Sequence, residues 1–209
     1  MASRDQDLFD LTGKVVLAAG GAGAIGAAMA RATAVYGAKV AIADRTVDAC
    51  EAVAATLSAS GCEAMGVGLN VLDPDSVAAA VTAVEAALGP VDVLINTVGT
   101  HIEQPAQDLT LDAWDTVLNV NLRGAFVLSQ AVARAMIASG RHGSHIHVTS
   151  VRSTLGIHRG YAAYVASKGG LGILIKQLAT EWAQYGIRVN GIAPTFTRTP
   201  LVDDYLNDP

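Results

Sequence analysis

Short apolar runs alternate along this chain with longer, alanine-rich stretches. Residues 14–19, 39–43, 63–69, 91–95, 144–149 and 187–192 are compact and rich in Val, Ile and Ala, which predicts six strands. Between them, residues 24–36, 46–60, 74–88, 111–139 and 161–185 carry helical patterns, with Gly37, Gly61, Gly89 and Gly186 as stops. Asp73 before Pro74 supplies an N-cap and a proline at the first helical position. Gly124 inside the 111–139 pattern would allow a close approach. Strands alternating with helices of this length predict right-handed βαβ units. The expected fold class is α/β: one doubly wound domain over residues 1–209, with a parallel sheet and helices on both faces.

Composition narrows the function. Apolar residues make up 51% of the 209 and charged residues 16%, enough to build a sizeable core. The net charge is −5 and no Lys/Arg run occurs, which argues against a nucleic-acid partner. No apolar stretch is long enough to span a bilayer, and the polar first ten residues do not form a secretory signal. Cys50 and Cys62 make no CxxC pattern, so no metal site is expected and the two thiols suit a cytoplasmic protein.

Gly21-Ala22-Gly23-Ala24-Ile25-Gly26 matches G-x-G-x-x-G between a predicted strand and a predicted helix. Glycines there let the backbone approach a pyrophosphate, and the helix N-terminus presents N–H groups to it. This context predicts a Rossmann-type dinucleotide site; the bland reading is a tight turn with no ligand. Asp44, eighteen residues past Gly26, ends the second strand. A carboxylate there accepts hydrogen bonds from ribose hydroxyls and repels the 2′-phosphate of NADP, so NAD(H) is favoured. Arg45 keeps NADP(H) open, because it could hold that phosphate. Asp44 could equally cap the helix after Thr46.

Tyr164 and Lys168 stand four residues apart on a predicted helix, hence on one face. A nearby cation favours the phenolate, which suits proton exchange with an alcohol–ketone couple. Alone, such a pair is common. In order with the glycine loop, Ser150, and Val120-Asn121-Leu122-Arg123-Gly124, however, it resembles the short-chain dehydrogenase/reductase family in its classical branch, over residues 8–200. The resemblance implies Tyr164 as general acid/base and Ser150 on the substrate oxygen. It also implies Lys168 on the nicotinamide ribose and beside Tyr164, and Asn121 holding a relay water. Cofactor contacts are implied at Gly20, Gly21, Gly23, Ile25, Gly26, Asp44, Arg45, Asn70, Val71, Asn96, Gly99, Pro194, Thr197 and Thr199, besides Tyr164 and Lys168. Ser153 is an alternative to Ser150, and Tyr161 lacks a Lys four residues on.

The chain departs from the family at several loops. Ala19 and Ala24 stand where the first-loop pattern T-G-x-x-x-G-x-G has Thr and Gly. Asn96-Thr97-Val98-Gly99 replaces N-N-A-G, Asn70 replaces an Asp at the adenine, and Pro194-Thr195 replaces P-G. Classical members continue with a substrate-covering segment, a further helix and a seventh strand, so the C-terminal part reads as absent at Pro209.

His101, Glu103, Arg152 and His158 fall on loops at the expected pocket mouth. Arg152 and His101 are the candidate substrate contacts; the bland reading is that all four are solvated loop residues. Ala166-Ser-Lys-Gly-Gly and Glu181-Trp-Ala-Gln-Tyr resemble gluconate- and polyol-type members, implying a sugar acid or polyol as the small-molecule alcohol or ketone. A 3-oxoacyl-type reductase and a cofactor-binding regulator or scaffold without turnover are the alternatives. The family resemblance further implies a homotetramer, pairing through the helices at 111–139 and 161–185.

Overall fold

The computed structural model describes residues 8–197. In chain order its elements are β1 (Val15–Ala19), α1 (Ala24–Val35), β2 (Lys39–Asp44), α2 (Val47–Ala59), β3 (Ala64–Gly68) and α3 (Pro74–Leu88). Then follow β4 (Val93–Asn96), α4 (Leu111–Leu118), a π-turn (Asn119–Arg123) and α5 (Gly124–Ala138). β5 (Gly143–Val148), a 3₁₀ turn (Val151–Ser153), α6 (Ala162–Trp182) and β6 (Ile187–Ile192) complete the fold. The six strands are all parallel, in the order β3-β2-β1-β4-β5-β6.

Both faces of the sheet are covered, which explains why its strands read as continuous apolar runs. Val15, Leu17 and Ala19 face a cluster built with α3, α5 and α6. Val16 and Ala18 face a second cluster with α1 and α2. Every side chain of β1 is buried. Burial of each larger apolar side chain contributes about 1.5–3 kcal/mol.

The expected caps form. Asp73 accepts the Asp75 amide at 3.0 Å, with Pro74 opening α3. Gly186, at φ 69°, ends a 3₁₀ turn (Ala183–Tyr185) before β6. Thr46, not Asp44, occupies the N-cap position of α2, without a side-chain bond. The 111–139 pattern is one helical path interrupted by the π-turn, whose wider winding turns Asn121 into the interior. α5 then starts at Gly124, where a Cβ would lie 2.7 Å from Val71 Cγ2.

β1 has β2 on one side and β4 on the other, so the loops leaving β1 and β4 diverge. A crevice opens there at the carboxyl ends of the strands, the place where doubly wound sheets bind ligands. No helix among the described residues is long and apolar enough to cross a membrane.

Candidate active site

A cavity of about 980 Å³ occupies that crevice, running from the glycine loop to the ends of β5 and β6. Gly20, Gly23, Ile25 and Gly26 form its floor at the N-terminus of α1, where Gly23 is the N-cap. Gly20 turns at φ 74°. A Cβ on Gly26 would sit 2.2 Å from the Gly20 carbonyl oxygen, so α1 meets the loop too closely for any side chain. Gly21 serves the packing instead: its Cβ would lie 2.5 Å from the Ala18 oxygen. Ala24, the departure from the family pattern, lies in the cavity wall. A main-chain cradle closed to Cβ atoms at a helix N-terminus fits a pyrophosphate.

Asp44, Arg45, Asn70 and Val71 lie beyond the cavity lining. The Gly20 and Gly21 amides donate to the Ala43 oxygen, placing the loop beside Asp44. Asp44 is half-buried and accepts the Arg45 amide at 2.8 Å through one oxygen. Arg45 is exposed. Asn70 is exposed too and accepts the Leu72 amide, keeping its own amide N–H groups available. Val71 buries its side chain against Gly124, leaving only its main chain for a ligand.

At the other end stand the chemistry-bearing residues. Ser150 leaves β5 almost buried, lines the cavity and accepts the Arg152 amide at 3.1 Å. Its hydroxyl proton is thereby aimed elsewhere. Ser153 packs on Gly169 and Gly172 of α6, off the cavity lining. Tyr164 and Lys168 lie on consecutive turns of α6, with the ammonium 5.8 Å from the phenol centroid. Lys168 Nζ donates to the Val148 oxygen at 2.9 Å, and burial pushes its pKa down to about 8. The ammonium is therefore still charged at neutral pH. Asn121 is fully buried: Oδ1 accepts the Thr100 amide at 2.7 Å, and Nδ2 donates to the Thr100 oxygen and Ser167 Oγ. Both amide hydrogens are thus used within the protein.

Asn96 stands behind this wall, 3% exposed. Its Oδ1 accepts the Val98 amide, so its Nδ2 donates to His147 Nδ1 at 3.2 Å. His147 must then donate from Nε2 to Ser129 Oγ, which donates on to the Ala125 oxygen. Burial, and then the Lys168 charge, hold the His147 pKa down to about 4. Sequence reasoning missed His147, Ser129 and Ser167; no spacing rule connects residues on β4, β5, α5 and α6.

Pro194, Thr197 and Gly99 line the cavity, with the Pro194 oxygen accepting the Val151 amide. Thr199 lies outside the described residues. At the mouth, His101 stacks edge-on against Tyr161 and Tyr164 at 5.5 and 6.3 Å. Arg152 lines the cavity while one guanidinium nitrogen donates to the Gly156 oxygen at 3.0 Å. Arg159 pairs with Glu103, at 3.7 Å. His158 is exposed and off the cavity lining.

A parallel sheet in this order, with a glycine cradle at its switch point and a buried ammonium beside a phenol, defines a dinucleotide-dependent oxidoreductase. The chain belongs to the short chain dehydrogenase family, whose model matches residues 14–209. It is 35% identical over 202 residues to gluconate 5-dehydrogenase of Gluconobacter oxydans, covering 97% of this chain and 78% of that protein. It is 40% identical over 193 residues to D-threitol dehydrogenase of Mycolicibacterium smegmatis, covering 92% and 74%. A crystal structure of a gluconate 5-dehydrogenase from Burkholderia cenocepacia, in complex with NADP and tartrate, superposes with a TM-score of 0.92 at 36% identity, covering 98% of this chain and 80% of that one. The chain is an NAD(P)-dependent oxidoreductase.

Proposed function

We propose that this protein interconverts a secondary alcohol and a ketone on a sugar acid or polyol, using NAD(H) in preference to NADP(H). The observation that carries the reading is the single cavity joining the glycine cradle to Ser150, Tyr164, Lys168 and Arg152. The nicotinamide supplies or takes the hydride when bound. Tyr164 exchanges the proton of the substrate hydroxyl. Ser150 donates to the substrate oxygen, because its own oxygen already accepts the Arg152 amide. Lys168 brings a desolvated positive charge beside the phenol. Asn121 holds the 100-loop against α6, and any relay water would rest on main-chain groups near it.

The relatives' names, gluconate and threitol, support an acidic or polyhydroxylated substrate. Arg152 is the group to distinguish them, since a guanidinium grips a carboxylate with parallel hydrogen bonds. His101, on the facing loop, is the second substrate contact. The test is a cofactor-reduction assay on sugar acids and neutral polyols. Arg152→Ala should cost about 1.5–3 kcal/mol on the acid, roughly a 10–150-fold loss in kcat/KM, and little on the polyol. Equal losses on both would reduce Arg152 to a loop clamp on Gly156.

Asp44 is the reason for preferring NAD(H), through ribose bonds and repulsion of a 2′-phosphate. Two free thiols, Cys50 and Cys62, suit a cytoplasmic setting. Assembly is part of the same proposal. Leu118, Leu122, Phe126, Ile173 and Leu174 line an open groove on the outer faces of α4, α5 and α6, and Phe126 and Ile173 are exposed. A second copy of the same helices would cover it in a homotetramer. Light scattering at micromolar concentration should return an oligomer, and a monomer would remove that part.

A further inference from the structure

Two departures from the family's loop patterns, Ala19 for Thr and Thr97 for Asn, meet in space. Ala19 ends β1 and Thr97 follows β4, and the strands are paired in register up to Ala19 and Asn96. The Thr97 amide donates to the Ala19 oxygen at 2.9 Å. Its hydroxyl lies 3.0 Å from that same oxygen and 3.1 Å from the Gly20 oxygen, so it donates between two successive carbonyls of the glycine loop. The Gly20 oxygen also accepts the Gly23 amide at 3.0 Å, the bond that closes the turn under α1.

The packing is equally tight. A Cβ on Gly20 would come within 2.5 Å of Thr97 Oγ1, and one on Gly26 within 2.8 Å. The apex of the loop, the first turn of α1 and the Thr97 hydroxyl therefore interlock. Thr97 is β-branched, so its χ1 is stiff and the hydroxyl is held in place. Its side chain also lines the cavity.

We infer that Thr97 is a positioning residue for the cofactor's pyrophosphate: its hydroxyl fixes the Ala19 and Gly20 carbonyls, and through them the cradle of main-chain N–H groups. In this chain the hydroxyl that braces the loop comes from the β4 side, where Ala19 offers none. The inference rests on the glycine loop being the pyrophosphate site, as proposed above. Thr97 acts on the loop and not on the reacting atoms, so it should govern cofactor affinity and leave proton transfer alone.

The experiment is NADH binding to the cofactor-free protein, followed by fluorescence, with turnover and thermal melting measured alongside. Thr97→Val keeps the shape and removes the hydroxyl; Thr97→Ser keeps the hydroxyl. Loss of one neutral hydrogen bond in the cradle predicts about a three- to tenfold weaker NADH Kd for T97V. The cofactor KM should rise with it, kcat at saturating cofactor should stay, and T97S should return the Kd to within about twofold of native. The inference is overturned if T97V binds NADH like the native protein, if T97V and T97S lose affinity equally, or if T97V only lowers the melting temperature. If the native protein itself fails to bind NADH or NADPH, the pyrophosphate-site reading falls, and this inference with it.

Discussion

The region from β1 to α3 and the region from β4 to α6 are built from different material. Among the described residues, every buried polar or charged side chain lies between Asp92 and Lys168; the strands of the first region bury Val, Ile, Leu and Ala. The first region meets the crevice with the main chain of its glycine loop, so the tolerance of that loop is set by sterics. A Cβ at Gly20 or Gly26 has nowhere to go. The second region holds Asn96, Asn121, His147, Ser150 and Lys168 in a low-dielectric interior, so its tolerance is set by hydrogen bonds and charge. The second region holds the phenol, ammonium and buried histidines, so proton chemistry and sensitivity to pH are concentrated there.

The largest contrast comes from Tyr164→Phe. On the proton-transfer role proposed for Tyr164, removing the phenol oxygen should lower kcat by about 10²–10⁴-fold with NADH binding nearly intact. Stopped-flow turnover beside equilibrium binding separates the two, and retained turnover would refute the assignment. Gly26→Ala is the mirror experiment. The added Cβ must displace the Gly20 carbonyl, and overpacking of about 1–3 kcal/mol predicts NADH binding weakened by roughly 5–150-fold. A variant that binds NADH normally would show that the loop is not the cradle.

A third contrast is in acid stability. Burial holds His145 down to about 3 and, with Lys168, His147 down to about 4, against about 6.5 in the unfolded chain. Below pH 6.5 the unfolded state takes up protons that the folded state refuses. Stability should therefore fall by about 1.4 kcal/mol per pH unit for each histidine between about pH 6 and 5, with the His147 share fading as the pH nears 4. Neither ring nitrogen of His145 finds a hydrogen-bond partner among the described residues, and its ring meets Trp182 edge-on. Urea unfolding of His145→Leu from pH 7 to 4.5 should show the histidine slope roughly halved without loss of stability at pH 7. An unchanged slope would mean His145 does not set it.

The smallest effect belongs to Asp44→Ala. Asp44 is half-buried and partly screened by solvent, so the NADH-over-NADPH preference should narrow by about three- to tenfold. Titration of the native protein and the variant with both cofactors measures it, and a native preference for NADPH would reverse the reading.

Much of the first region is legible in one dimension. Strand runs, glycine stops, Asp73-Pro74 and the G-x-G-x-x-G loop are local signals, and the structure places each of these elements within a residue or two of its expected bounds. The Tyr164/Lys168 pair was readable for the same reason, because four residues on a helix make one face. Ser150 could be separated from Ser153 only when β5 ended at Val148 and turned one into the cavity and the other onto α6.

The sequence by itself determined the alternation of strands and helices, the glycine cradle and the spacing of the phenol and ammonium, all set by backbone periods and turn chemistry over a few residues. Tertiary structure alone decided the rest. Asn96 meets His147, Asn121 meets Ser167, and Thr97 meets Gly20 across 51, 46 and 77 residues of chain. The physical reason is the sheet order: once β3 has formed, the chain crosses back to lay β4 beside β1, and no local rule says which buried polar group will then lie opposite which.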